Sequence, residues 1–287
     1  MRNKIEKIFS VFVKLLAFTS VSLITLILIF ILKESLGLFD KVPLSSFILG
    51  SEWQPLGVNP QVSIKLFLAA TLLVSIIAVC IAIPIGIGFA LFISILLPNN
   101  ISKILKAFVN MLSGIPSVVY GFMGLSVLVK FFEVHFSFST GESVLCAGIL
   151  LSIMILPYVV SNCSETVSKV HKSYKVHSQC LGVSKWFMMN NLILPSCKTS
   201  ILASIILATG RAMGETMAVM MVIGNSPIMP TLLGKSETIP ALIALEMGSA
   251  QVGSIHYHAL FASGFTLMML LLIINAVFYS ISKKITF

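Results

Sequence analysis

This sequence is short of charge. Only 10% of its 287 residues are Asp, Glu, Lys or Arg, against about 25% in an average soluble domain. So few charges cannot cover a water-facing surface, which excludes a water-soluble globular enzyme. Cysteines spaced for a metal or redox centre are also missing. The five present (Cys80, Cys146, Cys163, Cys180 and Cys197) form no C-x-x-C. Their mostly apolar neighbours mark them as packing residues. No G-x-x-x-x-G-K-[ST] occurs, so the chain has no nucleotide-binding P-loop of its own. There is no evident internal repeat and no low-complexity tract.

What the chain has is apolar length. Hydrophobic residues make up 57% and the mean hydropathy is +1.04. A membrane barrel would read as weak period-two alternation, so these long runs predict an all-α integral membrane protein. A span needs about 20 apolar residues. Six segments qualify, at 11–32, 66–97, 107–130, 143–163, 199–223 and 259–282. The first resembles a signal peptide, but its apolar core is too long and no small-residue cleavage site follows, so it reads as an uncleaved span. The second is longer than a bilayer requires and carries Pro84, Gly86 and Gly88 in AIPIGIGFA, which predicts a kink and tight packing.

The formal charge of +9 is not a nucleic-acid signal, because the basic residues flank the spans. With the N-terminus inside, 13 Lys and Arg fall on the cytoplasmic side and five outside, while seven of ten acids fall outside. The positive-inside rule then puts both termini in the cytoplasm. The expected organisation is an N-terminal span with its periplasmic loop over 1–65, then a core of five spans over 66–287. A long basic cytoplasmic connection at 164–198 joins two of those spans. The outer loop includes Trp53, which favours the interface.

Loops as long as 164–198 are usually functional. Within it, Val183, Trp186, Phe187 and Asn190 follow helical spacing, with Gly182 before and Pro195 after. Two readings fit: an amphipathic helix docking on another protein, or one lying on lipid headgroups. The segment resembles the coupling loop of ABC-importer permeases, which runs E-A-A, three residues, Gly, nine residues, then I-x-L-P. Gly182, Leu192, Leu194 and Pro195 stand at matching positions, with Lys185 and Trp186 between them. The E-A-A positions hold Val176, His177 and Ser178, so the Glu is missing.

Two membrane motifs are more specific. SGIPSVVYGFMG, Ser113 to Gly124, falls in the third predicted span. There Pro116 removes a backbone donor and Gly114, Gly121 and Gly124 remove bulk. Irregular backbone at that depth must be covered by protein or line a water-filled cavity. The segment is therefore either a pathway wall or a plain kink. Ser117 and Tyr120 can offer hydroxyls to an anion or satisfy freed carbonyls.

GRAMGETMAVMMVIGNSP, Gly210 to Pro227, falls in the fifth. An Arg at the middle of a membrane helix costs about 2.5–3.5 kcal/mol on insertion scales. Arg211 and Glu215 are expected on one helical face, as a neutralising ion pair or as part of an anion pathway. Gly210 and Gly214 form G-x-x-x-G, a face for close helix approach. Thr216 and Asn225 add hydrogen-bonding groups nearby. His256 and His258, spaced H-x-H without Cys or carboxylate partners, are expected at a surface or interface. Glu237 and Glu246 are expected to be solvated.

Together these motifs resemble the PstC-type permeases of phosphate-specific ABC importers. The resemblance implies the type I importer permease architecture in a bacterial inner membrane. It also implies a second permease (PstA-like), two ATPase subunits (PstB-like) and an extracytoplasmic phosphate-binding protein (PstS-like). No cofactor would bind this chain, and ATP and Mg would be used by the partner ATPase. Inorganic phosphate would pass Arg211, Glu215, Thr216, Ser117 and Tyr120. The residues alone leave open a permease for another oxyanion or small solute, a passive channel, or a signalling subunit.

Overall fold

In the computed structural model, residues 2–57, 59–136 and 140–285 are described. Helix α1 (Arg2–Phe39) leads through a short α2 (Leu44–Leu49) to a two-stranded antiparallel hairpin, β1 (Trp53–Gln54) and β2 (Gln61–Val62), with Trp53 opposite Val62. Then follow α3 (Lys65–Leu91), which ends in a π-helical turn at Phe92–Leu96, and α4 (Asn99–Ser113). Next, α5 (Ser117–Met123) passes through a π turn, Gly124–Val129, into α6 (Lys130–Phe136). Helix α7 is Val144–Cys180. The short α8 (Lys185–Met188) and α9 (Leu194–Ser196) flank a π turn at Met189–Ile193. The remaining helices are α10 (Lys198–Gly214), α11 (Met217–Ile223), α12 (Ile239–Glu246) and α13 (Ile255–Ile285).

Five described helices are long and apolar enough to cross a membrane, and α10 together with the 185–196 segment, bent 63° from it, has the length and composition of a sixth. Helix α7 is the axis: 67% of its most apolar window is buried, against none of the corresponding window of α1. Helices α3 and α7 run parallel and touch closely, because glycines stand at two points of the contact. A Cβ at Gly148 would lie 2.5 Å from Ile77, and one at Gly86 would lie 2.6 Å from Val159. Pro84 lies inside α3, which continues past it. Helix α1 packs at its outer end on α13, through Phe30 on Phe261 and His258 Nδ1 donating to the Glu34 carbonyl at 2.8 Å.

Three sequence expectations change here. The third predicted span, 107–130, is two elements. Gly114 and Pro116 separate the amphipathic α4 from α5, with Pro116 as the residue before α5 rather than a kink within a helix. The connection at 164–198 is mostly helix, since α7 runs on to Cys180. It stops because Gly182 adopts φ +64°, letting Val183 N–H reach the Ser178 carbonyl (2.9 Å) and Gly182 N–H the Gln179 carbonyl (3.2 Å). The fifth span is broken: Glu215 is extended (φ −70°, ψ 127°), so α10 and α11 are separate helices.

Beyond α11, the irregular stretch 224–238 folds back on the start of α7. Val144 and Leu145 N–H donate to the Gly234 and Leu232 carbonyls, and the Ser143 side chain accepts from Cys146 N–H. These contacts satisfy donors that a helix start leaves unpaired. Lys235 and Glu142 pair at 2.9 Å across the same junction.

Candidate functional site

The break after Gly214 changes how Arg211 is held. Arg211 lies in the last turn of α10, where its charge meets the negative end of the helix and carbonyls freed by the break. Its guanidinium carbon sits 4.0 Å from the centre of the Tyr158 ring on α7, a cation–π contact. Glu215, half-buried, has left the helix, and no ion pair joins it to Arg211 among the described residues. The expected shared helical face is therefore replaced by an exposed Arg on an aromatic shelf. Thr216 Oγ1 donates to the Gly214 carbonyl at 3.3 Å, and Asn225 Nδ2 to the Met220 carbonyl at 2.8 Å, so both serve their own helix ends.

The same shelf fixes the end of α4. Tyr158 Oη donates to the Ser113 carbonyl (3.0 Å) and Tyr120 Oη to the Leu112 carbonyl (3.0 Å). Of the two options for Tyr120, freed carbonyl or passing anion, the geometry takes the first. Ser117 opens α5 directly after Pro116 and is half-buried. Gly121 permits close contact of α5 with α11, since a Cβ there would lie 2.6 Å from Met221 Sδ and 3.1 Å from Ala218 Cα. At Gly210 and Gly214, no described residue beyond their own helix lies within 4 Å of such an atom. Their small-residue face is open.

At the other end of α7, Ser178 is buried and its hydroxyl meets Met188 Sδ at 3.0 Å, tying α7 to α8. His177 Nδ1 bonds within its helix to the Ser173 carbonyl. Ser184 caps α8 by accepting from Phe187 N–H at 3.2 Å. The buried side of 185–196 is Met188, Met189 and Ile193, with Leu192 and Leu194 partly covered. The face expected from spacing points outward: Trp186 is 69% exposed, beside exposed Phe187, Lys185 and Pro195. Leu181 (79%) and Val176 (63%) extend this apolar tip. Behind it lies a cavity of about 690 Å³ lined by His171, Lys175, Gln179 and Lys185.

The outer residues are better buried than their polarity suggests. His256 is 3% exposed, and Glu246 Oε2 accepts from its Nε2 at 2.7 Å and from Trp53 Nε1 at 3.0 Å. Glu237 is 5% exposed, and burial, then the Glu246 charge, pushes its carboxyl up to about 7. Glu237 and Glu246 are not the solvated charges expected from sequence, and His256, expected without a carboxylate partner, has one in Glu246. No group of metal-binding side chains occurs among the described residues. Sequence reasoning missed Tyr158, whose only local signal is its place after Pro157 in an apolar run.

A bundle of apolar helices with a broken span, an Arg at the break and an apolar tip projecting from its longest central helix defines a helical membrane permease. Its fold is that of ABC-importer permeases. A chain of the MetNI methionine ABC transporter, in an inward-facing form, superposes with a TM-score of 0.60 over 75% of this chain and 93% of its own. At 13% identity that likeness concerns the fold alone. The chain belongs to the family of binding-protein-dependent transport system inner membrane components, whose model matches residues 82–286, and within it to the PstC-type permeases. A probable ABC transporter permease of Bacillus subtilis, YqgH, is 34% identical over 78% of this chain and 73% of its own. The phosphate transport system permease protein PstC of Haemophilus influenzae is 33% identical over 78% and 76%. PstC of Mesorhizobium japonicum is 32% identical over 81% and 76%. Membership makes the chain a membrane-embedded transport subunit that works with a binding protein, a second permease and an ATPase.

Proposed function

We propose that this chain forms one half of the translocation pathway of an ATP-driven inorganic phosphate importer in the bacterial inner membrane. The observation that carries the reading is Arg211. It is an exposed, permanently charged group at the break of a membrane helix, braced on Tyr158 rather than neutralised by Glu215. Arg presents planar donors suited to an oxyanion, and broken helices at membrane depth are where transporters place substrate. The PstC relatives supply the substrate class.

In this reading the PstS-like protein delivers phosphate from outside, and the PstA-like permease packs against the open face of Gly210 and Gly214. The PstB-like ATPases, using ATP and Mg, grip the tip around Trp186 and Leu181. Val176, where the family places Glu, makes that grip apolar rather than ionic. Closing of the ATPases moves α8 with α7, to which Ser178 ties it, and rocks the core. Glu215 stands beside the pathway as a like charge to phosphate, which keeps binding weak enough for release. The deciding experiment is radiolabelled phosphate uptake in a permease-deficient strain carrying this chain and its partner subunits, competed with sulfate, molybdate and arsenate. Competition by phosphate and arsenate alone supports the reading. Uptake blocked by sulfate or molybdate instead reassigns the substrate.

A further inference from the structure

A polar groove runs between α4 and α7. Helix α4 is divided lengthwise. Ile101, Ile104, Phe108 and Met111 form an exposed apolar side, while Lys103, Lys106 and Asn110 fall on the opposite side at helical spacing. That polar side meets α7: Ser161 Oγ donates to Asn110 Oδ1 at 2.9 Å, and Lys106 Nζ donates to Ser168 Oγ at 2.8 Å. Between these two contacts lies a cavity of about 320 Å³, lined by Lys106, Asn110, Ser161, Asn162 and Glu165. The volume corresponds to roughly ten waters, room for a small oxyanion with part of its hydration.

The groove's position matters as much as its lining. Ser161 and Asn162 follow Tyr158 by one turn on α7, and Tyr158 carries Arg211. From Tyr158 to Ser168 is about 15 Å along the helix. One cation thus stands at the membrane end and another at the far end, with uncharged donors between. The local balance is positive. Lys106 is crowded by burial and by Lys172, which lower its proton affinity. Glu165, the carboxylate of the groove, is paired with Lys169 at 2.7 Å. The Asn110 carbonyl oxygen is taken by Ser161, which leaves its amide hydrogens for a ligand.

We propose that the α4–α7 groove is a second subsite for a phosphate oxyanion, with Lys106 supplying charge and the Asn110 side-chain amide supplying hydrogen bonds. It is the first station on the coupling-tip side of Arg211. This rests on the phosphate-pathway reading above. The same chemistry fits free phosphate in transit or a phospholipid headgroup, since the other side of α4 is apolar.

The test uses the purified transporter complex with the exposed thiols removed (Cys80→Ala, Cys180→Ser) and Asn162→Cys added as a reporter. Labelling rates are compared for an anionic and a cationic thiosulfonate, against the same complex without the reporter. The anionic reagent should react about 10-fold faster, as a positive groove focuses anions. Millimolar inorganic phosphate should slow it in lipid-free detergent. Lys106→Gln should abolish both effects and Lys106→Arg should restore them. A charge preference and protection that survive Lys106→Gln overturn the proposal. Protection by phosphatidylglycerol nanodiscs, to which free phosphate adds nothing, assigns the site to a headgroup. Protection by sulfate but not phosphate keeps the groove and overturns the phosphate reading, while loss of uptake in Arg211→Gln bears on that reading alone.

Discussion

Arg211 lies 4.0 Å over the ring of Tyr158, and the Tyr158 hydroxyl donates to the Ser113 carbonyl. One side chain therefore joins α10 to the end of α4 through α7. The ring and the hydroxyl do different work, so two substitutions separate them. A cation–π contact is worth about 0.5–2 kcal/mol. Tyr158→Phe keeps the shelf and should retain most phosphate uptake. Tyr158→Leu removes it and should lower uptake by roughly 2–30-fold. Arg211→Gln should abolish uptake while the complex still assembles on a sizing column. Equal uptake in the two Tyr158 variants would show that the ring does not position Arg211.

The glycines of the two membrane motifs should behave oppositely. Gly121 is closed in by Met221 and Ala218, and Gly210 meets no described residue beyond its own helix. Gly121→Ala should cost about 1–3 kcal/mol by overpacking, seen as a lower melting temperature of the chain alone. Gly210→Ala should leave that temperature unchanged and weaken capture of the second permease. A melting loss for Gly210→Ala without a capture defect would remove its face from the interface.

These contrasts show what sequence carries. The number of spans was legible because apolar runs of membrane length need no tertiary information. The break at Glu215 was not, since nothing in RAMGETM marks an extended residue inside an apolar run. A helical wheel then put Glu215 beside Arg211, where the backbone does not take it. Gly182 was legible as a break before the short amphipathic helix, but not as the end of a helix running on from the fourth span; its left-handed backbone suits glycine. The outer polar groups were misjudged for a different reason. His256 is covered where Trp53, α12 and α13 meet at Glu246, and Trp53 is far from the other two in sequence.

Trp186 projects from a tip that also exposes the apolar Val176, Leu181 and Phe187. Buried Trp anchors commonly carry 2 kcal/mol or more of an interface, so Trp186→Ala should weaken ATPase association about 30-fold. Lys185→Ala should change it little, because rim charges contribute little. Binding of the purified ATPase to the two permeases in nanodiscs measures both. A larger loss for Lys185→Ala would make the docking ionic.

The charge bias of the ends predicts orientation. A phosphatase fused after Ser282 should be inactive, and a fluorescent protein at the same point bright, if the C-terminus is cytoplasmic. The reverse pair of signals would invert the bundle, and with it the side from which the 185–196 tip meets an ATPase.

Glu237 makes the stability of the outer end depend on pH. Its carboxyl titrates at about 7 in the folded protein, against 4.5 in the absence of burial and of Glu246. Between those values the folded chain holds a proton that the unfolded chain has lost. Stability should therefore fall as pH rises through that window and level off above it. The other charged groups nearby are Glu246, held by Trp53 and His256, and, on the same loop as Glu237, Lys235, which pairs with Glu142 just before α7. Trp53 reports on this cluster directly, since it donates to Glu246. In a Trp186→Phe background, Trp53 emission should follow thermal unfolding with a midpoint that drops from about pH 5 to about pH 8. Glu237→Gln should flatten that dependence by removing the titrating proton. If the slope persists in Glu237→Gln, this carboxyl does not couple the outer end of the protein to pH.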